Sequence, residues 1–114
     1  MERAQAYVKA GADGIMIHSR EKTPHEVLEF CKRFREFSTN IPIAVVPSTY
    51  SSVYENELVQ AGVNVVIYAN QLLRAAFPAM KNVAESILQN ERCLEASENC
   101  MGIKEIITLI PDSI

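Results

Sequence analysis

The stretch Ala10-Gly11-Ala12-Asp13-Gly14-Ile15-Met16-Ile17-His18 decides the fold. A similar pattern returns 51 residues later, where Ala61-Gly62-Val63-Asn64 leads into Val65-Val66-Ile67-Tyr68. Each copy has the features of a helix end, a glycine turn and an apolar strand that leaves through a polar residue. Glycine suits the left-handed conformation just past a helix end. Continuous apolar strands are typical of parallel sheets covered on both faces. The repeat therefore predicts two units of a parallel α/β sheet.

A third apolar strand, Ile43 to Val46, lies between the two copies and leaves through Pro47-Ser48-Thr49. The flanking segments carry helical periodicity and helix-start signals. The apolar stripe predicted for the helix between the first two strands comprises Val27, Leu28, Cys31, Phe34 and Phe37. Thr23-Pro24 with Glu26 predicts one capped helix start, and Ser52 with Glu55 predicts another. A long helix after Asn70 is expected to face inward along a stripe and to be kinked or split at one proline. The proline is Pro78. The stripe consists of Leu72, Leu73, Ala76, Met80, Val83, Ile87 and Leu88.

The resulting order αβαβαβα predicts the C-terminal part of a (β/α)8 TIM-type barrel, with about three parallel strands and flanking helices. A closed barrel needs eight strands, so three strands would leave two bare edges. We therefore expect the remaining sheet to come from sequence outside this chain or from another subunit. Residues 1–90 are predicted to form the partial barrel. Residues 91–114 are predicted to form a loop and a helix, which packs either on its own chain or, by exchange, on a neighbouring subunit.

Composition narrows the class of protein. The net charge is −3, 48% of residues are hydrophobic, and no Lys/Arg run with aromatic residues occurs, which argues against nucleic-acid binding. No apolar run reaches 18 residues, and the start is charged and helical, so neither a membrane span nor a signal peptide is predicted. The three cysteines, Cys31, Cys93 and Cys100, lack metal spacing and indicate reduced thiols in a cytoplasmic protein.

Polar residues at the strand exits are the candidate functional residues, because parallel α/β folds bind ligands at the carboxyl ends of their strands. His18 leaves the first strand and is suited to contact a phosphoryl or carboxylate oxygen or to transfer a proton; the alternative is a bond to loop backbone. Ser19 follows His18 and is a candidate for contacting an anionic group of the substrate. The alternative is that its hydroxyl only caps the loop. Ser48 leaves the second strand, where its hydroxyl would bind substrate or hold the turn.

Asn70 leaves the third strand and is a candidate either for orienting substrate or for capping the following helix. Asp13 and Asn64 lie at strand entrances, the end of a barrel that serves stability, and are predicted to be structural. No cluster of carboxylates occurs at the exits, so the sequence shows no metal site of its own.

The segment Gly11-Ala12-Asp13-Gly14-Ile15-Met16-Ile17-His18-Ser19-Arg20 resembles the phosphoenolpyruvate mutase family, of the isocitrate lyase/phosphoenolpyruvate mutase superfamily. The resemblance continues through Val45-Val46-Pro47-Ser48-Thr49-Tyr50 and Val66-Ile67-Tyr68-Ala69-Asn70, and covers the last part of a family member. It implies a barrel enzyme that interconverts phosphoenolpyruvate and phosphonopyruvate with Mg²⁺. His18 matches the histidine that contacts the transferring phosphoryl group, and Ser48 stands where relatives commonly have threonine.

The resemblance also bounds what this chain does alone. The family's Mg²⁺-binding acids, gating loop and phosphoryl-binding arginine match nothing in these residues, so we expect no activity without further sequence. The family implies homo-oligomers with a C-terminal helix packed on a neighbouring subunit, and a small-molecule phosphonate or phosphoenol substrate rather than nucleic acid or membrane. Phosphonopyruvate hydrolase shares the His-Ser segment and is one alternative. A non-catalytic α/β assembly module is another.

Overall fold

Three short parallel strands form the sheet of the computed structural model, which describes residues 1–110. Strands β1 (Ile15–Ile17), β2 (Ile43–Val45) and β3 (Val65–Val66) lie in the order β1-β2-β3. Ile17 is level with Val45, and Val45 is level with Val66. The parallel three-stranded α/β architecture predicted from the sequence is confirmed, although β2 and β3 end earlier than their apolar runs.

The helices alternate with the strands as expected. In chain order they are α1 (Glu2–Lys9), α2 (His25–Phe37), α3 (Glu55–Gln60), α4 (Gln71–Asn90), a 3₁₀ helix (Glu95–Asn99) and α5 (Ile103–Ile107). The predicted region 91–114 extends past the described residues, since 111–114 lie outside them. Within residues 1–110, no helix is both long and apolar enough to cross a membrane.

Contacts group the chain into two compact units, Met1–Asn70 and Gln71–Ile114, the second described as far as residue 110. The first unit holds all three strands and helices α1 to α3. The second holds α4, the 3₁₀ helix and α5, and α4 contacts the 3₁₀ helix. The predicted division into residues 1–90 and 91–114 separates the partial barrel from the C-terminal loop and helix. It is a different division from the two contact units and stays a prediction.

The core of the first unit lies between the sheet and α2. Val27, Cys31 and Phe34 of α2 are fully buried, as their helical spacing predicts. They pack with Ile43 and Val45 of β2, which are also fully buried. The spacing places one side chain on the sheet about every turn of α2, so this stripe fixes α2 on the sheet.

Both repeat glycines adopt the conformation expected of them. Gly11 has φ +99° and Gly62 has φ +87°, each directly past a helix, in the region that side chains with a Cβ rarely occupy. The glycine turn that the repeat predicted is therefore present in both copies.

The predicted capping boxes differ from those in the structure. The N-cap of α2 is Pro24 rather than Thr23, and a proline side chain has no atom that accepts a hydrogen bond, so the predicted cap is absent. The Glu26 carboxylate accepts a hydrogen bond from the Ser19 hydroxyl instead. α3 begins at Glu55, three residues after the predicted cap Ser52. There the Tyr54 N–H donates to Glu57 Oε2 over 2.8 Å. Local spacing located the helices but not the partners of these carboxylates.

The long helix of the second unit differs from expectation along its apolar stripe. α4 runs from Gln71 to Asn90 and is not split at Pro78, while the alternative expectation of a kink there stays a prediction. Its stripe does not face inward: Leu72 is 87% exposed, Leu73 is 69% exposed, and α4 contains no buried residue. Within the described part of the second unit, the 3₁₀ helix and α5 do not bury that face. Helical periodicity predicts which face of a helix is suited to burial, but it does not show whether another element covers that face.

Candidate active site

The carboxyl ends of the three strands meet at one edge of the sheet. His18 directly follows β1, Val46 follows β2 and Ile67 follows β3, so the strand register places these three residues at the same level. The Ile67 N–H donates to Val45 O over 2.9 Å and continues the pairing beyond β3. The residues after this level form the candidate site, as the strand-exit argument predicted.

His18 is exposed at this edge, immediately past the last paired residue of β1. An exposed imidazole at this position is accessible to a ligand. Its position fits the predicted contact with an anionic oxygen, and its role stays a prediction.

Ser19 is buried, with 4% of its surface exposed. Its hydroxyl donates to Glu26 Oε2, at the start of α2, and accepts the Glu21 N–H over 3.1 Å. A serine hydroxyl has one proton to donate. Because the hydroxyl proton is engaged in the hydrogen bond to Glu26, a substrate would meet the remaining lone pair or the backbone at Ser19. The substrate-binding role of Ser19 stays a prediction.

Ser48 and Tyr50 lie in the turn that follows β2. The Ser48 N–H donates to Val46 O over 2.9 Å, which closes the turn. The Ser48 Oγ is buried and forms no hydrogen bond with any part of residues 1–110. A buried hydroxyl without a partner costs free energy, so such a group is suited to meet a ligand or another segment. This supports, without testing, the predicted role of Ser48.

Tyr50 is fully buried beneath the same turn. Burial raises the pKa of its phenol, and the nearby Cys31 thiol raises it further, while the Val46 backbone offsets part of the rise. The phenol oxygen makes no hydrogen bond of regular geometry within the described chain. Tyr50 is thus a neutral group that supports the turn carrying Ser48.

The exit of β3 is held by a contact that sequence reasoning missed. The Tyr68 hydroxyl donates to Glu55 Oε1 over 2.7 Å, and this bond is the first cause of a raised pKa at Tyr68. It joins the β3 exit to the start of α3. Asn70 is half-buried directly before α4, where both its substrate role and its capping role stay predictions.

The opposite end of the sheet is organised by Arg35, which no sequence pattern singled out. Its guanidinium donates to the carbonyl oxygens of Gly62 (3.0 and 2.6 Å) and Ile41 (2.8 Å), and to Asn64 Oδ1 (2.7 Å). Asn64 Oδ1 also accepts the Ile43 N–H over 3.0 Å. Asn64 therefore joins two strand entrances, and the structural role predicted for it is confirmed.

Residues 1–110 contain no group of three or more His, Cys, Asp or Glu side chains that could hold a metal ion. A groove of about 760 Å³ follows the outer edge of β1 and is lined by residues of α1, β1 and α2, including Met16 and Glu26. Met16 is 63% exposed there. The groove runs along the unpaired edge of the sheet and does not include the strand-exit residue His18.

Comparison with known proteins adds the family to this geometry. The sequence profile described as phosphoenolpyruvate phosphomutase matches residues 1–88. The chain belongs to this family. The phosphoenolpyruvate phosphomutase of Streptomyces viridochromogenes is 36% identical over 110 residues, which cover 96% of this chain and 34% of that protein. The phosphonopyruvate hydrolase of Variovorax sp. (strain Pal2) is 38% identical over 113 residues, which cover 98% of this chain and 38% of the hydrolase.

Solved structures agree with the phosphoenolpyruvate phosphomutase family and its barrel architecture. The phosphomutase of Streptomyces platensis subsp. rosaceus matches with a TM-score of 0.82 and 34% identity, over 93% of this chain and 36% of that one. A phosphonopyruvate hydrolase in complex with oxalate and Mg²⁺ matches with a TM-score of 0.76 and 37% identity, over 93% and 37%. The chain spans about a third of the length of these relatives.

Proposed function

We propose that this chain supplies the His18 side of a phosphoenolpyruvate mutase active site, which interconverts phosphoenolpyruvate and phosphonopyruvate. The observation that carries the proposal is His18 itself: it lies exposed at the carboxyl edge of the sheet, within the His-Ser segment that resembles the family. In the forward direction a P–O bond breaks and a P–C bond forms, so the phosphoryl group must be held between the two events. An imidazole at this edge is suited to donate to its oxygens.

The other strand-exit residues have supporting roles in this proposal. Ser48 is suited to bind substrate because its buried Oγ meets no partner within residues 1–110. Asn70 would present its amide at the third exit. The described residues do not fit Mg²⁺, which prefers an octahedral set of oxygen ligands, so we place its ligands outside this chain. The hydrolase structure with oxalate and Mg²⁺ supports a metal in the family.

A phosphonopyruvate hydrolase is the second candidate. Its curated relative is as similar to this chain as the mutases are, and it covers the same part of the chain. Hydrolysis would break the P–C bond of phosphonopyruvate and yield pyruvate and phosphate. The same strand exits would hold the phosphoryl group in either reaction. The two reactions would therefore differ in whether water has access to that group.

Segment exchange tests the proposal. This chain is placed in the Streptomyces viridochromogenes phosphomutase, and separately in the Variovorax hydrolase, in place of the segment that it matches. Phosphorus NMR with phosphonopyruvate and Mg²⁺ then distinguishes phosphoenolpyruvate from free phosphate. Each host with its own segment is the positive control, and each host without the segment is the negative control.

We expect turnover in the phosphomutase host, and a larger retained fraction of host activity there than in the hydrolase host. The reverse ratio would favour the hydrolase. Folded exchange proteins that are inactive in both hosts would contradict both enzymatic readings and leave the assembly module.

A further inference from the structure

The loop that carries His18 is tied to α2 by one side-chain contact. Residues 18–24 form no regular secondary structure between β1 and α2. Within this loop the buried Ser19 hydroxyl donates to the Glu26 carboxylate and accepts the Glu21 N–H. The first bond joins the loop to a helix, and the second fixes the loop's own turn.

The Glu26 side chain is exposed, but the helix that carries it is fixed on the core. Glu26 lies in the first turn of α2, where the positive end of the helix stabilises a carboxylate. The next residue, Val27, is fully buried, and so is Cys31 one turn later, so this helix face is fixed on the core. The Glu26 carboxylate accepts the hydrogen bond from Ser19 rather than closing a capping box at the start of the helix.

The geometry therefore points to Glu26 as a positioning residue for His18, acting through Ser19. This inference rests on the proposed function, because it assumes that His18 meets the substrate. Ser19 is adjacent to His18 in the chain, so the bond to Glu26 limits the directions in which the loop presents the imidazole. Its effect should fall on the chemical step, where the orientation of a group matters most, and less on the affinity for substrate.

Four variants of the active exchange protein test this inference: Glu26→Ala, Glu26→Gln, Ser19→Ala and the double variant Glu26→Ala/Ser19→Ala. Glu29→Ala is the matched control, since Glu29 is an exposed carboxylate on the same helix. We expect Glu26→Ala to lower kcat roughly tenfold or more, with little change in KM. Glu26→Gln should recover part of the loss, since its amide oxygen still accepts a hydrogen bond.

The double variant should be no slower than the slower single variant, because both changes remove one contact. A kcat for Glu26→Ala within twofold of that for Glu29→Ala would overturn the inference, as would additive losses in the double variant. An inactive parent exchange protein would instead count against the proposed function.

A second measurement tests the contact without activity. In the 114-residue chain, amide exchange at Glu21 should be faster by roughly an order of magnitude in Glu26→Ala than in Glu29→Ala, because the Ser19 hydroxyl that accepts this N–H loses its anchor. Equal exchange at Glu21 in the two variants would overturn the anchoring role of Glu26.

Discussion

Replacement of Gly62 by alanine should destabilise the first unit by two separable effects. Gly62 has φ +87°, where a Cβ costs roughly 1–2 kcal/mol. A Cβ built there would lie 2.6 Å from Arg35 Nε and 2.9 Å from Arg35 Cγ, so the arginine must move. That movement disturbs the bonds of Arg35 to the carbonyl oxygen of Gly62 and to Asn64 Oδ1.

The magnitude follows from these two effects. Hydrogen bonds to charged groups contribute about 1.5–3 kcal/mol, and the lower end applies to a partly exposed guanidinium. Together with the backbone strain, we expect Gly62→Ala to lower the free energy of unfolding by about 3 kcal/mol. Urea denaturation followed by circular dichroism measures this change.

Two other glycines provide matched controls. Gly11 also has a positive φ, +99°, but a Cβ there would meet nothing within 4 Å, so Gly11→Ala reports the backbone strain alone. Gly102 has φ −59° and equally open surroundings, so Gly102→Ala should cost least. In an Arg35→Ala background the cost of Gly62→Ala should fall to that of Gly11→Ala. Equal costs for Gly62→Ala and Gly11→Ala in the unaltered chain would refute this account of Arg35.

Further predictions concern the core, the sheet edges and the metal ligands that residues 1–110 do not supply. Burial raises the pKa of the Cys31 thiol to about 11, so thiol reagents at pH 8 should label Cys93 and Cys100 and reach Cys31 only on unfolding. Because the pKa of Cys31 in the folded chain lies above the ordinary value of 9.0, Cys31 should contribute stability below pH 9 that is lost as the pH rises towards 11. Urea denaturation across this pH range should show the fall in the free energy of unfolding, and the fall should be smaller in Cys31→Ala. The chain should self-associate in sedimentation at micromolar concentration, because its sheet has two outer strands and Val65 on one of them is 46% exposed; a clean monomer would contradict this. Titration calorimetry of the chain with Mg²⁺ should show no tight binding, and heat that saturates at micromolar Mg²⁺ would contradict it.

Much of the fold was predictable because its signals are local. The glycine turns at Gly11 and Gly62 and the stripe of Val27, Cys31 and Phe34 depend on short-range geometry, and the structure contains all of them. Strands β2 and β3 came out shorter than their apolar runs. Apolar composition marks the length of chain suited to burial, whereas a strand assignment requires hydrogen bonds to a neighbour.

The contacts that shape the site were less accessible from the sequence. Glu26 matched a local capping pattern, but its actual partner, Ser19, comes from the β1 exit loop seven residues earlier. Arg35 binds backbone carbonyl oxygens, which every residue has, so its partners leave no pattern in the sequence. The strand-exit rule placed His18 and Ser48 at one edge of the sheet, but their chemical roles depend on atoms that periodicity does not describe.

The placement of the catalytic edge is tested most directly by the chain's two histidines. Both are exposed; His18 follows β1 at the proposed site, and His25 begins α2. Phosphorus NMR of the phosphomutase exchange protein should show that His18→Ala lowers turnover roughly 100-fold or more, while His25→Ala stays close to the unsubstituted protein. Near-normal turnover in a folded His18→Ala protein, or equal losses in the two variants, would contradict the assignment of this edge as the active site.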